Sequence, residues 1–272
     1  MGLRRKKITQ LIFKVNVIDL TILPSKVLKD NIKDREKSFH DDRYIDDKRK
    51  VLSDAYTFAQ SSKTLFNNLV TNVNSDDYVL EIGCGTNTIS ERIVDIGANV
   101  TIVDISEKAI EIAKQNIQEG IINISCVVMD AENLKFNDQS FNLIYGSGIL
   151  HHLSIEKAIF EIKRVLKQGG KAVFYEPLGH NLFINIFRLL TPRLRSKDEH
   201  PLLVADLKLI ENNFPNTRFH FFYLFSLISM PFIRFKLFNR LTNMMGRLDV
   251  YLNKVFPFLQ KYNWITVIEI TK

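Results

Sequence analysis

Val79-Leu80-Glu81-Ile82-Gly83-Cys84-Gly85-Thr86-Asn87 joins an apolar run to a glycine-rich turn. The run predicts a strand over 78–82, and the turn opens a helix through about 96. Glycines let backbone approach a ligand closely, and a helix N-terminus offers unpaired N–H groups. Taken alone, Gly-x-Gly is equally a tight strand-to-helix turn. The sequence around it repeats the pattern. A second strand over 99–104 ends at Asp104, and Ser106 caps a helix running to about 119, with Gly120 as its stop. A third strand over 124–129 ends at Asp130-Ala131-Glu132, and a fourth covers 141–145. A helix over 155–166, closed by Gly169-Gly170, leads to a fifth strand over 171–175. Strand and helix alternating at this pitch give crossovers and a parallel sheet with helices on both faces. The strands are near-continuous apolar runs, as burial on both faces demands.

Doubly wound sheets bind ligands in the crevice beyond the strands' C-terminal ends. Three such ends meet here. Asp104 stands about 20 residues past the glycines, where a carboxylate binds ribose hydroxyls. An acid at Asp130 can accept a hydrogen bond from an adenine amino group. Each acid taken singly is also a helix cap or a turn former. A nicotinamide dinucleotide site fits poorly, because its fingerprint needs a third glycine where this chain has Thr88.

On Glu81-Ile82-Gly83-Cys84-Gly85-Thr86, Asp104, Asp130-Ala131-Glu132, Tyr145-Gly146-Ser147-Gly148 and Gly169-Gly170, the stretch 75–178 resembles the class I S-adenosylmethionine-dependent methyltransferases. In look it is most similar to the ubiquinone/menaquinone-biosynthesis group. The resemblance implies an α/β fold with a seven-stranded, mostly parallel sheet of order 3-2-1-4-5-7-6, the last strand antiparallel, and S-adenosylmethionine as cofactor. It also implies roles. Gly83, Cys84 and Gly85 lie against the methionyl part, which Glu81 orients. Asp104 holds the ribose, with Ile105 against the adenine. Asp130, Ala131 and Glu132 form the adenine side, and Ser147 lines the methionyl side. Asn87 stands where members usually carry glycine, and asparagine is one of the few other residues that tolerate left-handed backbone.

On the acceptor side, the fourth strand leads into Gly148-Ile149-Leu150-His151-His152-Leu153. Histidine titrates near neutrality, so His151 or His152 can act as base or orienter. Either can equally be a helix-entry residue bonded to backbone. His151 matches the acceptor-side position of the resembled group, whose residue types there differ. Glu176 and His180, after the fifth strand, should reach the same cavity. The later cluster Arg193, Arg195, Asp198-Glu199-His200-Pro201 is either a solvated polar turn or a holder for an anionic head group. The aromatic stretch 219–238 reads as a sixth strand and packing helix, or as an apolar lid rimmed by Arg234, Lys236, Arg240 and Arg247. No metal-spaced cluster is evident, and none is expected.

The chain has 272 residues, 46% of them hydrophobic, which allows a sizeable core. The expected division is a basic helical extension over 1–52 and a methyltransferase domain over 53–272, carrying helical caps at about 178–213 and 224–260. Charge is unevenly spread. Residues 1–50 hold 14 Lys/Arg against 8 Asp/Glu, 75–178 hold 9 against 15, and 179–272 hold 13 against 6. An acidic centre between basic flanks suggests an anionic partner or surface, although basic flanks also simply aid solubility. Ten of the 20 phenylalanines fall between Phe214 and Phe258. The start, Met1-Gly2-Leu3-Arg4-Arg5-Lys6-Lys7, lacks a cleavable apolar continuation and has lysine where a myristoylation motif needs Ser or Thr. The least charged stretch, 219–233, is too short for a span of about 20 residues. Two cysteines, Cys84 and Cys126, make no disulfide framework and fit a reducing cytoplasm.

The expectation is therefore methyl transfer to oxygen or carbon of a small, lipophilic acceptor, with peripheral membrane contact through the basic-aromatic flanks. Nucleic-acid methylation, prompted by the pI of about 9.3, is disfavoured: no RNA-binding module is evident and no Asn-Pro-Pro-Tyr-type site follows the fourth strand. A cofactor-binding protein of the same fold without transfer is the non-enzymatic rival. Oligomeric state is not legible.

Overall fold

The computed structural model describes residues 33–35, 37, 58–85, 89–117, 122–191, 199–233, 235 and 237–272. Most of the expected extension over 1–52, Asn87, Gly120, Arg193, Arg195, Asp198, Arg234 and Lys236 lie outside the described residues.

Seven strands form one sheet: β1 (Tyr78–Ile82), β2 (Asn99–Asp104), β3 (Ile124–Val128), β4 (Phe141–Ser147), β5 (Leu166–Pro177), β6 (Asn216–Phe222) and β7 (Ile265–Thr271). Their order is β3-β2-β1-β4-β5-β7-β6, as the resemblance implies. β1 to β5 run parallel, and β7 lies antiparallel between β5 and β6. The helices are α1 (Gln60–Val70), α2 (Ser90–Val94), α3 (Glu107–Asn116), α4 (Ile155–Val165), α5 (Leu182–Leu190), α6 (Val204–Asn213) and α7 (Phe238–Val255).

Alternation along the strands builds two cores. Leu80, Ile82, Ile144 and Phe174 point to the face covered by Ile155, Ala158, Ile159 and Ile162 of α4 and Ile210 of α6. Val79, Leu143, Tyr145 and Val173 point to the other face, against Phe66 and Val70 of α1, Ile93 of α2 and Ala109, Ile110 and Ala113 of α3. Each fully buried aliphatic or aromatic side chain contributes about 1.5–3 kcal/mol relative to exposure. A third cluster joins Phe58 and Ala59 to Tyr223, Leu227, Phe238 and Ile265. It is tied by Ser62, whose hydroxyl meets Tyr175 Oη at 3.1 Å and Tyr223 Oη at 3.0 Å.

One boundary differs from expectation. Gly169-Gly170 does not close a helix. α4 ends at Val165 and β5 begins at Leu166, so the glycines lie within the strand, where Gly169 N–H donates to Lys272 O and Gly170 O accepts from Lys272 N–H. Gly169 takes φ 72° with open space around it. The pair is thus the bend of a strand start, a use of glycine that looks the same in sequence as a helix stop. The segments read as helical caps do carry α5, α6 and α7. In the 219–238 stretch, residues 219–222 belong to β6, as the strand reading has it, and residues 226–232 form a 3-10 helix. Phe219 and Phe221 pack against the core, while Phe225, Phe232 and Phe235 are exposed.

Candidate active site

The three strand tips are joined by backbone. Gly83 N–H donates to Val103 O at 2.9 Å, and Met129 N–H donates to Asp104 O at 2.9 Å. The glycine turn, Asp104 and Asp130 therefore stand side by side across β1, β2 and β3. Gly83 has φ +72°, and a Cβ there would lie 2.7 Å from Ile149 Cδ1. The glycine is thus required by packing against the β4 loop as well as by its left-handed backbone.

Glu81 is buried, and its Oε2 accepts from Ser90 Oγ at 2.5 Å and Tyr145 Oη at 2.9 Å. Ser90 is the first residue of α2 and Tyr145 lies on β4, so the carboxylate ties β1 to both. Asp104 Oδ1 accepts from Ser106 N–H at 2.9 Å, and Ser106 Oγ in turn caps α3 at Ala109 N–H, 3.0 Å. Asp130 Oδ1 accepts from Glu132 N–H at 2.9 Å. Both aspartates are only half-buried, so a ligand can reach them. Ile105 is half-buried, Ala131 is buried and Ser147, at the end of β4, is exposed. Glu132 parts from Asp130: its carboxylate accepts from Ser154 N–H at 2.8 Å and meets Lys157 Nζ at 3.3 Å, capping α4. Cys84 is buried, 3.8 Å from Asp104 Oδ2. Burial first, then the carboxylates of Asp104 and Glu81, push its thiol well above the usual range, so it stays protonated.

The acceptor side is built on Glu176. Its carboxylate is fully buried and does not itself line a cavity. Oε1 accepts from the backbone N–H groups of Ile149 (2.9 Å) and Leu150 (2.8 Å), and Oε2 lies 2.8 Å from His151 Nδ1. It thus holds the 3-10 turn Leu150–His152 that follows β4. A carboxylate only accepts, so His151 Nδ1 carries a proton and, in the neutral ring, Nε2 is the acceptor nitrogen. His152 lies close by, with ring centroids 4.1 Å apart and the planes tilted by 38°.

A segment distant in sequence joins them. His200 N–H donates to His151 O at 3.0 Å, Leu202 N–H to Pro177 O at 3.0 Å and Gly179 N–H to Leu202 O at 3.0 Å. This pairing sets Glu199 beside the histidines, where its Oε1 meets Arg188 Nη2 at 3.2 Å. The pair is nearly buried, side chains 14% and 10% exposed, so Glu199 is no part of a solvated turn. A cavity of about 340 Å³ opens there, lined by Gly179, Asn185, Arg188, Leu189, His200, Pro201 and Leu203. His180 Nε2 is buried with no hydrogen-bond partner among the described residues. Its neighbour Asn181 caps α5 at Ile184 N–H, 3.1 Å. The sequence pointed to His151, His152, His180 and Glu176; Arg188 and Asn185 of α5, which line the cavity, were read only as part of a helical segment.

Residues 80–174 match the family model for a methyltransferase domain. The chain has the class I S-adenosylmethionine-dependent methyltransferase fold. This methyltransferase fold is 31% identical over 114 residues to a ubiquinone biosynthesis O-methyltransferase of Coxiella burnetii, covering 42% of this chain and 48% of that protein. It is 36% identical over 127 residues to the ubiquinone/menaquinone biosynthesis C-methyltransferase UbiE of Zymomonas mobilis, covering 45% and 52%. The matched stretch thus spans about half the length of these curated relatives. A phosphoethanolamine N-methyltransferase 2 of Haemonchus contortus, solved with phosphomonomethylethanolamine and S-adenosylhomocysteine, superposes at TM-score 0.57 with 16% identity, covering 78% of this chain and 52% of that one.

Proposed function

We propose that the protein transfers a methyl group from S-adenosylmethionine to an oxygen or carbon of a small, lipophilic acceptor. The observation that carries this reading is the joined row of tips, Gly83, Asp104 and Asp130, beside the Glu176-held turn that presents His151. The donor set suits the cofactor: a glycine turn and Glu81 for the methionyl end, two reachable carboxylates for ribose and adenine, and the buried Ala131 beside the second. Gly83, Gly85, Glu81 and Ser147 bind the amino-acid end, Asp104 the ribose hydroxyls with Ile105 on the ring, and Asp130 the adenine amino group.

The sulfonium supplies an electrophilic methyl group. The chain's own contribution is alignment and exclusion of water, and proximity is worth about 7–11 kcal/mol at best. His151 orients the acceptor, and its Nε2 can take a proton where the acceptor carries one that must leave. Glu176 positions His151. His180 and the cavity lined by Arg188 and Asn185 hold the acceptor's polar end.

A lipophilic acceptor is supported by the exposed apolar face of α5, where Leu182, Phe183, Ile186, Phe187, Leu189 and Leu190 are all exposed. The names of the aligned relatives, which place them in ubiquinone and menaquinone biosynthesis, point the same way. No described helix is long and apolar enough to cross a membrane. The protein works in the cytoplasm and meets a membrane peripherally.

The test incubates purified protein with methyl-labelled S-adenosylmethionine and a cell extract split into lipid, small polar and RNA fractions. Label is expected in the lipid fraction. Label in the RNA fraction alone overturns the acceptor class, and label nowhere, with cofactor bound, favours a binding protein of this fold.

A further inference from the structure

The geometry points to a divalent transition-metal site made by His151, His152 and Glu199. It deepens the acceptor side proposed above and rests on that reading for its role, though not for its existence. One ligating atom from each of the three residues lies within 4.8 Å of those of the others. Two imidazoles and one carboxylate are a donor set suited to zinc, iron or manganese.

Three features make the cluster a built site. First, both histidines sit on one 3-10 turn, Leu150–His152, held by the fully buried Glu176. Second, Glu176 Oε2 holds His151 Nδ1 at 2.8 Å. A ligating histidine whose other nitrogen donates to a carboxylate is the usual arrangement around a metal, since it fixes the tautomer and raises ligand basicity. Third, Glu199 is delivered from a remote segment by backbone pairing, His200 N–H to His151 O at 3.0 Å. Arg188 Nη2 donates to Glu199 Oε1 at 3.2 Å, so the carboxylate too is held by a neighbour. Binding would draw the three ligands from their present separations to about 2.0–2.2 Å from a common centre.

Among the described residues the site has three protein ligands, a number that leaves room for a further ligand. The cavity lined by Arg188 and His200 adjoins it. The ligand that suits the open position is an oxygen of the acceptor, so the acceptor class is narrowed to compounds carrying a phenolic or enolic hydroxyl. With the cation bound, His151 is a ligand and no longer a base.

The experiment uses the full chain, stripped with a chelator and titrated with Zn²⁺ and with Mn²⁺ by calorimetry. One saturable equivalent of at least one of them per chain is expected. Glu199→Gln and His152→Ala should each weaken it at least about a hundredfold, and Glu176→Gln about ten- to a hundredfold. Circular dichroism and binding of S-adenosylhomocysteine serve as fold controls for each variant. Should one variant misfold, the others still decide. Absence of one-to-one binding, or equal affinity in all folded variants, overturns the site. Label transfer is measured separately in the stripped protein. Metal binding without any cofactor binding sinks the methyltransferase reading alone, and cofactor binding without metal binding sinks the metal site alone.

Discussion

Asp104 holds a turn, and the proposed function gives it a second duty that can be tested apart from the first. Its Oδ1 supports the turn through Ser106 N–H at 2.9 Å, and in the proposed site its carboxylate also receives ribose hydroxyls. Hydrogen bonds to a charged group contribute about 1.5–3 kcal/mol each, and about 1.4 kcal/mol is tenfold in affinity. Asp104→Ala should therefore weaken S-adenosylhomocysteine binding at least about tenfold by calorimetry. Asp104→Asn keeps an acceptor for Ser106 and isolates the charge. Unchanged affinity in the alanine variant removes Asp104 from the ribose role. This residue was legible because strand, turn and acid recur at fixed offsets along the chain. Glu132 belongs to the same run, Asp130-Ala131-Glu132, yet its carboxylate caps α4 at Ser154 N–H, 2.8 Å. Adjacent residues on a turn diverge in direction, and no one-dimensional spacing reports that. Glu199 shows the limit from the other side. Its place beside His151 follows from pairing between the segment 200–202 and residues 151 and 177, which no local pattern encodes.

The elements were legible where a physical rule is local. Apolar strands and Ser106 at the cap of α3 could be read because each depends on neighbours in sequence. The loop between β3 and β4 could not. Arg164, one turn from Glu161 on α4, donates to Leu134 O at 2.9 Å, Phe136 O at 2.7 Å and Asp138 Oδ1 at 2.9 Å. Glu161 accepts from Arg164 Nη2 at 2.8 Å and from Leu134 N–H at 2.8 Å. Helical periodicity reveals which face of α4 is buried, and says nothing of what a guanidinium on its border reaches. The clamp has a pH signature. The hydrogen bond from Arg164 is the largest influence holding the Glu161 carboxyl below its ordinary value, with the Leu134 N–H adding to it against burial. A carboxylate whose folded value is depressed adds stability that is complete above its unfolded value, about 4.3, and is lost as pH falls through the folded value. Thermal melting of wild type and Glu161→Gln, followed from pH 7 down to 3, should show a gap in favour of wild type that shrinks below about pH 4.3. A gap that is constant across that range would mean the charge of Glu161 does nothing for the fold.

At the scale of the molecule, the doubly wound sheet explains where the chemistry sits, and the additions around it carry what is particular to this chain. α7 shows this in its exposed residues. Met244, Leu248, Tyr251 and Val255 are exposed apolar positions, and Arg240, Arg247 and Lys254 are exposed beside them with no exposed acid on the helix. Its opposite side is anchored by Asp249, which accepts from Leu224, Phe225 and Ser226 N–H at 3.0, 2.8 and 3.2 Å and from Ser226 Oγ at 2.6 Å. A helix fixed by a buried carboxylate, yet open along an apolar and basic face, is suited to lie in a charged bilayer interface. The apolar positions of α5 add a second such surface. Each basic residue near an anionic surface contributes about 1 kcal/mol, screened by salt. The protein should therefore sediment with phosphatidylglycerol-containing vesicles at low salt, and much less with purely zwitterionic ones. Replacing Arg240, Arg247 and Lys254 by glutamine should cost about a hundredfold in vesicle affinity, with melting temperature and cofactor binding unchanged. Leu248→Ser with Tyr251→Ser should weaken the salt-resistant remainder. Binding that ignores lipid charge and ionic strength, or that survives both sets of substitutions, would assign the exposed face of α7 to something other than a membrane.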